Sequence, residues 1–269
     1  MNKLLVPTDF SDNAENALNY AINVANHFES KIYLLSIFQA HSPAGSMKNI
    51  VRLLKEENET QLSLLDKKYR NTILRESGLE TVTINGQTIS TISGFADSNN
   101  VDLIIMGTQG SSGLNEIFIG STTVGVIKKA NKPILASPCD YNYRPFKKIV
   151  LALDESEPFP EEQIKPLVLL AKSYKSQILV YHIAQPDDKK GVSPSIDEYL
   201  KGMDYSIHEN IGISNINEGI NDFVKRNDAD MLCMITRKRR FLEGIFNPSV
   251  TRKGAFNCPV PLLVLREMK

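Results

Sequence analysis

Val101-Asp102-Leu103-Ile104-Ile105-Met106-Gly107-Thr108-Gln109-Gly110 is an apolar run that ends on two glycines three residues apart, and Gly120-Ser121 follows nine intervening residues later. A glycine directly after a strand permits a sharp turn and close approach of a ligand to the backbone. A second glycine tolerates positive φ and turns amides inward. Gly120-Ser121 then opens a segment of helical period carrying Val124 and Ile127. Unsatisfied amides at a helix start, together with the Ser121 and Thr122 hydroxyls, make an anion site, to which the helix dipole adds about 0.3–1 kcal/mol per charge. Strand, glycine turn and helix in that order read as a phosphate cradle. The alternative, ordinary turn glycines, suits a lone pair of glycines better than one flanked by both elements.

The chain carries its own control for this motif. Residues 102 to 136 align without a gap on 230 to 264, pairing Asp102 with Asp230, Met106 with Met234, Thr108 with Thr236, Ser121 with Ser249 and Pro133 with Pro261. The positions matching the three glycines are Ile235, Lys238 and Pro248. The starts match at another offset, Lys3-Leu4-Leu5-Val6-Pro7-Thr8-Asp9 against Lys148-Ile149-Val150-Leu151-Ala152-Leu153-Asp154. This is an internal duplication whose second copy has lost residues in its middle, where Ser46 to Ser77 has a much shorter counterpart around Ser193 to Gly202. The repeat predicts two domains, 1–140 and 146–269, with the boundary between Pro138 and Phe146.

Hydrophobic residues make up 42% of the 269 positions and charged ones 23%. No stretch is long and apolar enough for a membrane span, and Met1-Asn2-Lys3 does not open a signal peptide, so a soluble, cytoplasmic protein is expected. A formal net charge of zero removes the broad electrostatic reason to expect nucleic acid or an anionic membrane as partner. Cys139, Cys233 and Cys258 are odd in number and lack metal-knuckle spacing, as expected of incidental thiols.

Short β-branched runs alternate with helical segments, the pattern of βαβ units on a parallel sheet, hence an α/β class. Strands are predicted at 3–8, 31–37, 80–85, 101–106 and 133–137, and again at 148–153, 177–183, 204–208, 230–235 and 261–265. Ala14, Ala17, Leu18, Ala21, Ile22, Ala25 and Phe28 recur at three- and four-residue steps, which predicts a helix from Ser11, its N-cap, to Phe28. Ile89, Ile92, Phe95 and Ala96 predict a second, and Met47 to Arg75 a longer, more solvated one. Right-handed crossovers place ligands at the carboxyl ends of strands where strand order reverses. Asp9, at the end of the first strand, can accept hydrogen bonds from a ribose or help hold a phosphate-bound divalent ion. A turn-capping role fits it equally, and the retained Asp154 makes part of that role structural.

Pro7-Thr8-Asp9-Phe10-Ser11, the strand ending in Met106-Gly107-Thr108 and the glycine signature ending in Gly120-Ser121 together resemble the universal stress protein family in its nucleotide-binding branch. Cys258-Pro259-Val260-Pro261-Leu262-Leu263-Val264-Leu265 resembles that family's last strand. The resemblance spans nearly the whole chain as a tandem pair. It implies two Rossmann-like, adenine nucleotide α-hydrolase-like domains, each an open parallel five-stranded sheet of order 3-2-1-4-5, and a stress-adaptation role through ATP or a related nucleotide such as AMP or ADP, with Mg or Mn held through the phosphates. Carried over by position, Pro7, Thr8 and Asp9 border the adenosine and Ile37, just after the second strand, offers its backbone to adenine. Met106, Gly107, Gly110, Gly120, Ser121 and Thr122 line ribose and phosphates. The resemblance also implies pairing of the two domains through their last strands, and leaves a homodimer of the whole chain open.

The second copy departs where phosphate would bind. Ile235 and Lys238 replace turn glycines, and Pro248 removes an amide at the helix start. Arg237-Lys238-Arg239-Arg240 either binds an anion through side chains or is a solvated basic loop. Fold analogy also raises an ATP pyrophosphatase or ligase, but a Ser- and Gly-rich loop after the first strand is missing. His27, on a helix, His41, in a loop, His182, after a strand, and His208, beside Glu209, stand without partners at catalytic spacing. A binding protein, not an enzyme, is therefore expected. A nucleotide-independent scaffold and a weak ATP hydrolase are the alternatives.

Overall fold

A computed structural model describes residues 1–40, 47–74, 77–108, 119–139, 141–153, 159–184, 195–211, 216–236 and 258–266. The chain divides into two compact units, the first holding Met1–Glu116 and Gly120–Tyr143 and the second Arg144–Lys269.

In the first unit β1 (Lys3–Thr8), α1 (Asp12–Phe28), β2 (Lys31–Phe38), α2 (Met47–Tyr69), β3 (Gly78–Asn85), α3 (Thr88–Ser98), β4 (Leu103–Gly107), α4 (Ser121–Lys129) and β5 (Ile134–Ser137) alternate. The strands lie in the order β3-β2-β1-β4-β5, all in parallel pairs. Leu4, Leu5 and Val6 of β1 and Leu103, Ile104 and Ile105 of β4 are buried without alternation, as in a parallel sheet covered on both faces. The edge strand β3 is half-exposed. The predicted apolar stripe of α1, including Ala17, Leu18 and Ala21, is buried and packs on β1, β2, β4 and β5. Glu15 joins α1 to α2: its Oε1 accepts from Tyr69 Oη at 2.5 Å and from Lys68 Nζ. Chiefly the Lys68 hydrogen bond, then that of Tyr69, holds the Glu15 carboxyl below its usual range.

The second unit repeats the series with β6 (Lys148–Leu153), α5 (Glu161–Tyr174), β7 (Gln177–Ala184), α6 (Ser195–Tyr199), β8 (Asp204–Ile211), α7 (Ile216–Arg226), β9 (Met231–Thr236) and β10 (Leu262–Arg266). Their order, β8-β7-β6-β9-β10, is the same 3-2-1-4-5 arrangement, again with parallel pairs. The residues missing from the middle of this copy are accounted for by α6, five residues long where α2 has 23.

The duplication extends to individual hydrogen bonds. Asp102 Oδ2 accepts from the amides of Asn2 and Lys3 at 2.6 and 3.0 Å, and Lys3 Nζ donates to Asn99 O at 2.9 Å. Asp230 Oδ2 accepts from the amides of Lys147 and Lys148 at 2.8 and 2.9 Å, and Lys148 Nζ donates to Asn227 O at 3.1 Å. The Asp102–Asp230 match is thus a clip that fixes the start of each central strand. One internal difference separates the copies. The β1–β4 ladder holds only the pairs Leu4↔Leu103 and Leu5↔Ile104. Its counterpart runs from Ile149↔Met231 through Leu151↔Cys233 to Ala152↔Met234.

Two placements correct the sequence reading. Ile37 lies inside β2, within the predicted span 31–37 and not just after it, because the pairs Ile37↔Ile84 and Phe38↔Asn85 continue that ladder. His182 lies within β7, not after it, and is fully buried with Nδ1 3.3 Å from Leu153 O.

Candidate functional site

The carboxyl ends of β1 and β4 meet where the chain reverses its direction of travel across the sheet: β2 and β3 lie on one side of β1, β4 and β5 on the other. Crossover helices leave in opposite senses there, so the strand ends border a crevice. Pro7 and Thr8 end β1, Met106 and Gly107 end β4, and Ile37 is one residue beyond Ser36, the partner of Thr8. Gly120, Ser121 and Thr122 join them through the start of α4. Gly120 N donates to Thr108 O, and Thr123 Oγ1 donates to Gly107 O at 2.8 Å. Gly110 and the basic run Arg237–Arg240 with Lys238, as well as Pro248, Asp154 and His41, lie outside the described residues.

The loop after β1 is built from short-range hydrogen bonds. Asp9 Oδ1 accepts from Ser11 N at 3.1 Å and from Ser11 Oγ at 2.6 Å, while Thr8 Oγ1 accepts from Phe10 N at 3.0 Å. These bonds hold Phe10 at φ 64°, a left-handed conformation that costs a non-glycine residue on the order of 1–3 kcal/mol and is concentrated at binding sites. Ser11 Oγ also accepts from Ala14 N at 3.3 Å and caps α1. The turn-capping role of Asp9 is therefore realised, and its carboxylate remains exposed at the end of β1. Because one hydroxyl serves both cap and loop, Ser11→Ala is expected to lower stability by about 1 kcal/mol, read by urea denaturation. An unchanged midpoint would remove Ser11 from this role.

The start of α4 is bare in the way a cradle needs. Its N-cap, Gly120, makes no side-chain cap hydrogen bond, and Ser121 and Thr122 are exposed. Beside it Thr108 is 2% exposed. Its amide donates to Ser137 O at 3.0 Å, yet Thr108 Oγ1 has no hydrogen-bond partner among the described residues. A buried hydroxyl left unpaired costs about 1–3 kcal/mol, so an acceptor or donor from a ligand gains most there. Thr108 escaped the sequence reading, as did Asn13. A Cβ on Gly107 would lie 2.2 Å from Asn13 Nδ2, so any larger residue here displaces the buried Asn13 amide. The signal for Asn13 was present: it falls four residues before Ala17, on the buried stripe of α1. In the second unit Ile235 stands at the Gly107 position and is buried.

His27 closes the last turn of α1 and His208 lies in β8. Cys233 and Cys258 are buried. Burial raises the Cys233 thiol and pushes that of Cys258 up to about 12, so both stay protonated and unreactive near neutral pH. No helix among the described residues is long and apolar enough to cross a membrane.

A tandem of 3-2-1-4-5 sheets with a glycine turn after the fourth strand is matched by the profile of the universal stress protein family over residues 1–138 and 197–266. The chain belongs to that family. The universal stress protein MJ0531 of Methanocaldococcus jannaschii is 35% identical over 140 residues, covering 49% of this chain and 79% of that protein. MJ0577 of the same organism is 30% identical over 152 residues, covering 49% and 92%. The crystal structure of a universal stress protein from Archaeoglobus fulgidus superposes with a TM-score of 0.76 over 98% of both chains at 17% identity, which establishes the tandem fold along the whole length. The two matched stretches leave out residues 139–196, which hold β6, α5 and β7.

Proposed function

We propose that the first domain binds an adenine nucleotide, ATP or its relatives AMP and ADP, and that the second domain is a fused partner without a nucleotide of its own. The observation that carries this reading is the buried Thr108 hydroxyl, without a hydrogen-bond partner among the described residues, beside the start of α4, whose N-cap Gly120 makes no side-chain cap. Phosphates would rest on the first amides of α4 with Ser121 and Thr122, against the Gly107 turn, where dipole and hydroxyls favour negative charge. Pro7, Thr8 and Asp9 border the nucleoside, Ile37 offers backbone to the base, Met106 lines the ribose and phosphates, and Gly110 completes the turn. A Mg or Mn ion would arrive with the phosphates, since no group of three or more His, Cys, Asp or Glu among the described residues is placed to hold a metal. The chain orients and shields the ligand; no described histidine stands at the carboxyl ends of β1 and β4 to move a proton, and binding without turnover is the proposed activity, in the service of a stress response. In the second domain Ile235 brings a buried side chain to the position where Gly107 has none. Calorimetric titration of the full chain with ATP is the test. One site per chain is expected; two equal sites or none would refute the reading.

A further inference from the structure

The two central ladders differ in length, and one missing hydrogen atom explains it. In a parallel ladder each residue turns both its N–H and its C=O to the same neighbouring strand, and the next residue turns to the other side. Lys31 N donates to Asn2 O and Asp102 N to Lys3 O, so Asn2, Leu4, Val6 and Thr8 face β2, while Lys3, Leu5 and residue 7 face β4. The last β1–β4 pair is Leu5↔Ile104. The next two, Val6↔Ile105 and position 7↔Met106, would both use an N–H of residue 7 donated to Ile105 O. Proline has none. Proline is otherwise confined to edge strands, first strand positions and bulges, yet β1 lies between β2 and β4. The second unit supplies the comparison. Gln177 N donates to Lys147 O and Asp230 N to Lys148 O, which gives the same facing. Ala152 holds the Pro7 position with its N–H intact, and the corresponding pairs, Leu151↔Cys233 and Ala152↔Met234, are both formed.

We propose that Pro7 is the positioning residue of the first crevice. By withholding one N–H from Ile105 it keeps β1 and β4 unzipped where the nucleotide enters, and Ala152, by supplying that N–H to Cys233, zips the matching crevice of the second domain. The carbonyl of Ile105, buried and turned toward residue 7, is left available to a donor on the ligand. Loss of the second site is then a backbone event, separate from the replaced glycines. The ligand class rests on the reading above, whereas the zipper does not.

The experiment compares the full chain with Pro7→Ala and, separately, Ala152→Pro. In Pro7→Ala the new amide at position 7 is expected to exchange with solvent deuterium as slowly as the Ala152 amide, the apo Tm to hold or rise, and the ATP dissociation constant to increase by about tenfold or more. In Ala152→Pro the Ile235 amide is expected to exchange faster and the first-site affinity to stay as it was. Fast exchange at position 7, or an unchanged ATP affinity despite slow exchange, would overturn the proposal. A parent chain that binds no nucleotide would overturn the ligand reading instead, and the exchange rates would still decide whether residue 7 controls the ladder.

Discussion

In Gly107→Val, calorimetric titration with ATP is expected to lose one to two orders of magnitude in affinity while the protein still folds. The Cβ alone would sit 2.2 Å from Asn13 Nδ2, 2.6 Å from its Cγ and 2.8 Å from its Oδ1. All three contacts are with one side chain, so Asn13 must swing away. Overpacking of this kind costs about 1–3 kcal/mol, and here the valine methyls enter the space proposed for phosphate. The reciprocal change, Ile235→Gly, removes a buried side chain without restoring the rest of the cradle and is expected to create no second site. Undiminished ATP binding by Gly107→Val would place the ligand away from the end of β4.

The second large effect concerns stability. Asp230→Ala is expected to destabilise the chain by about 2 kcal/mol, because it removes a buried acceptor from two amides and from the half-exposed Arg144, and Asp102→Ala by about 1 kcal/mol, that of an ordinary hydrogen-bond loss. Both carboxylates hold two amides at the start of a central strand. Asp230 is buried and also pairs with Arg144 Nε at 2.8 Å, whereas Asp102 is exposed and water can replace it. Chemical denaturation of the two variants checks the difference. Equal losses would mean that burial and Arg144 add nothing to the second clip.

The strand positions were legible because β-branched runs buried on both faces are hard to mistake, and the helices of the first copy because Ala and Leu recur at helical steps. The register of the repeat also announced the shared clip, as Asp102 against Asp230, without revealing what it did. Ile37 and His182 fall inside the spans 31–37 and 177–183 that the residue pattern predicts; placing them after those strands was the error, because strand ends are set by how far the neighbouring ladder continues, which no local pattern records. In the site, Gly107 and Gly120 stood out as glycines. Thr108 and Asn13 did not, since a threonine after a strand and an asparagine in a first helical turn are ordinary residues until burial gives them a role.

By itself the sequence determined that this protein is a tandem of α/β domains of one family, with three glycines after the fourth strand of one copy and bulkier residues at the matching positions of the other, because periodicity, turn chemistry and repetition are all written along the chain. Only the tertiary structure decided which side of β1 Pro7 faces, and hence which ladder lacks a rung. That is a property of pairing between strands about a hundred residues apart, where the direction of a single N–H depends on register and not on the residue's name.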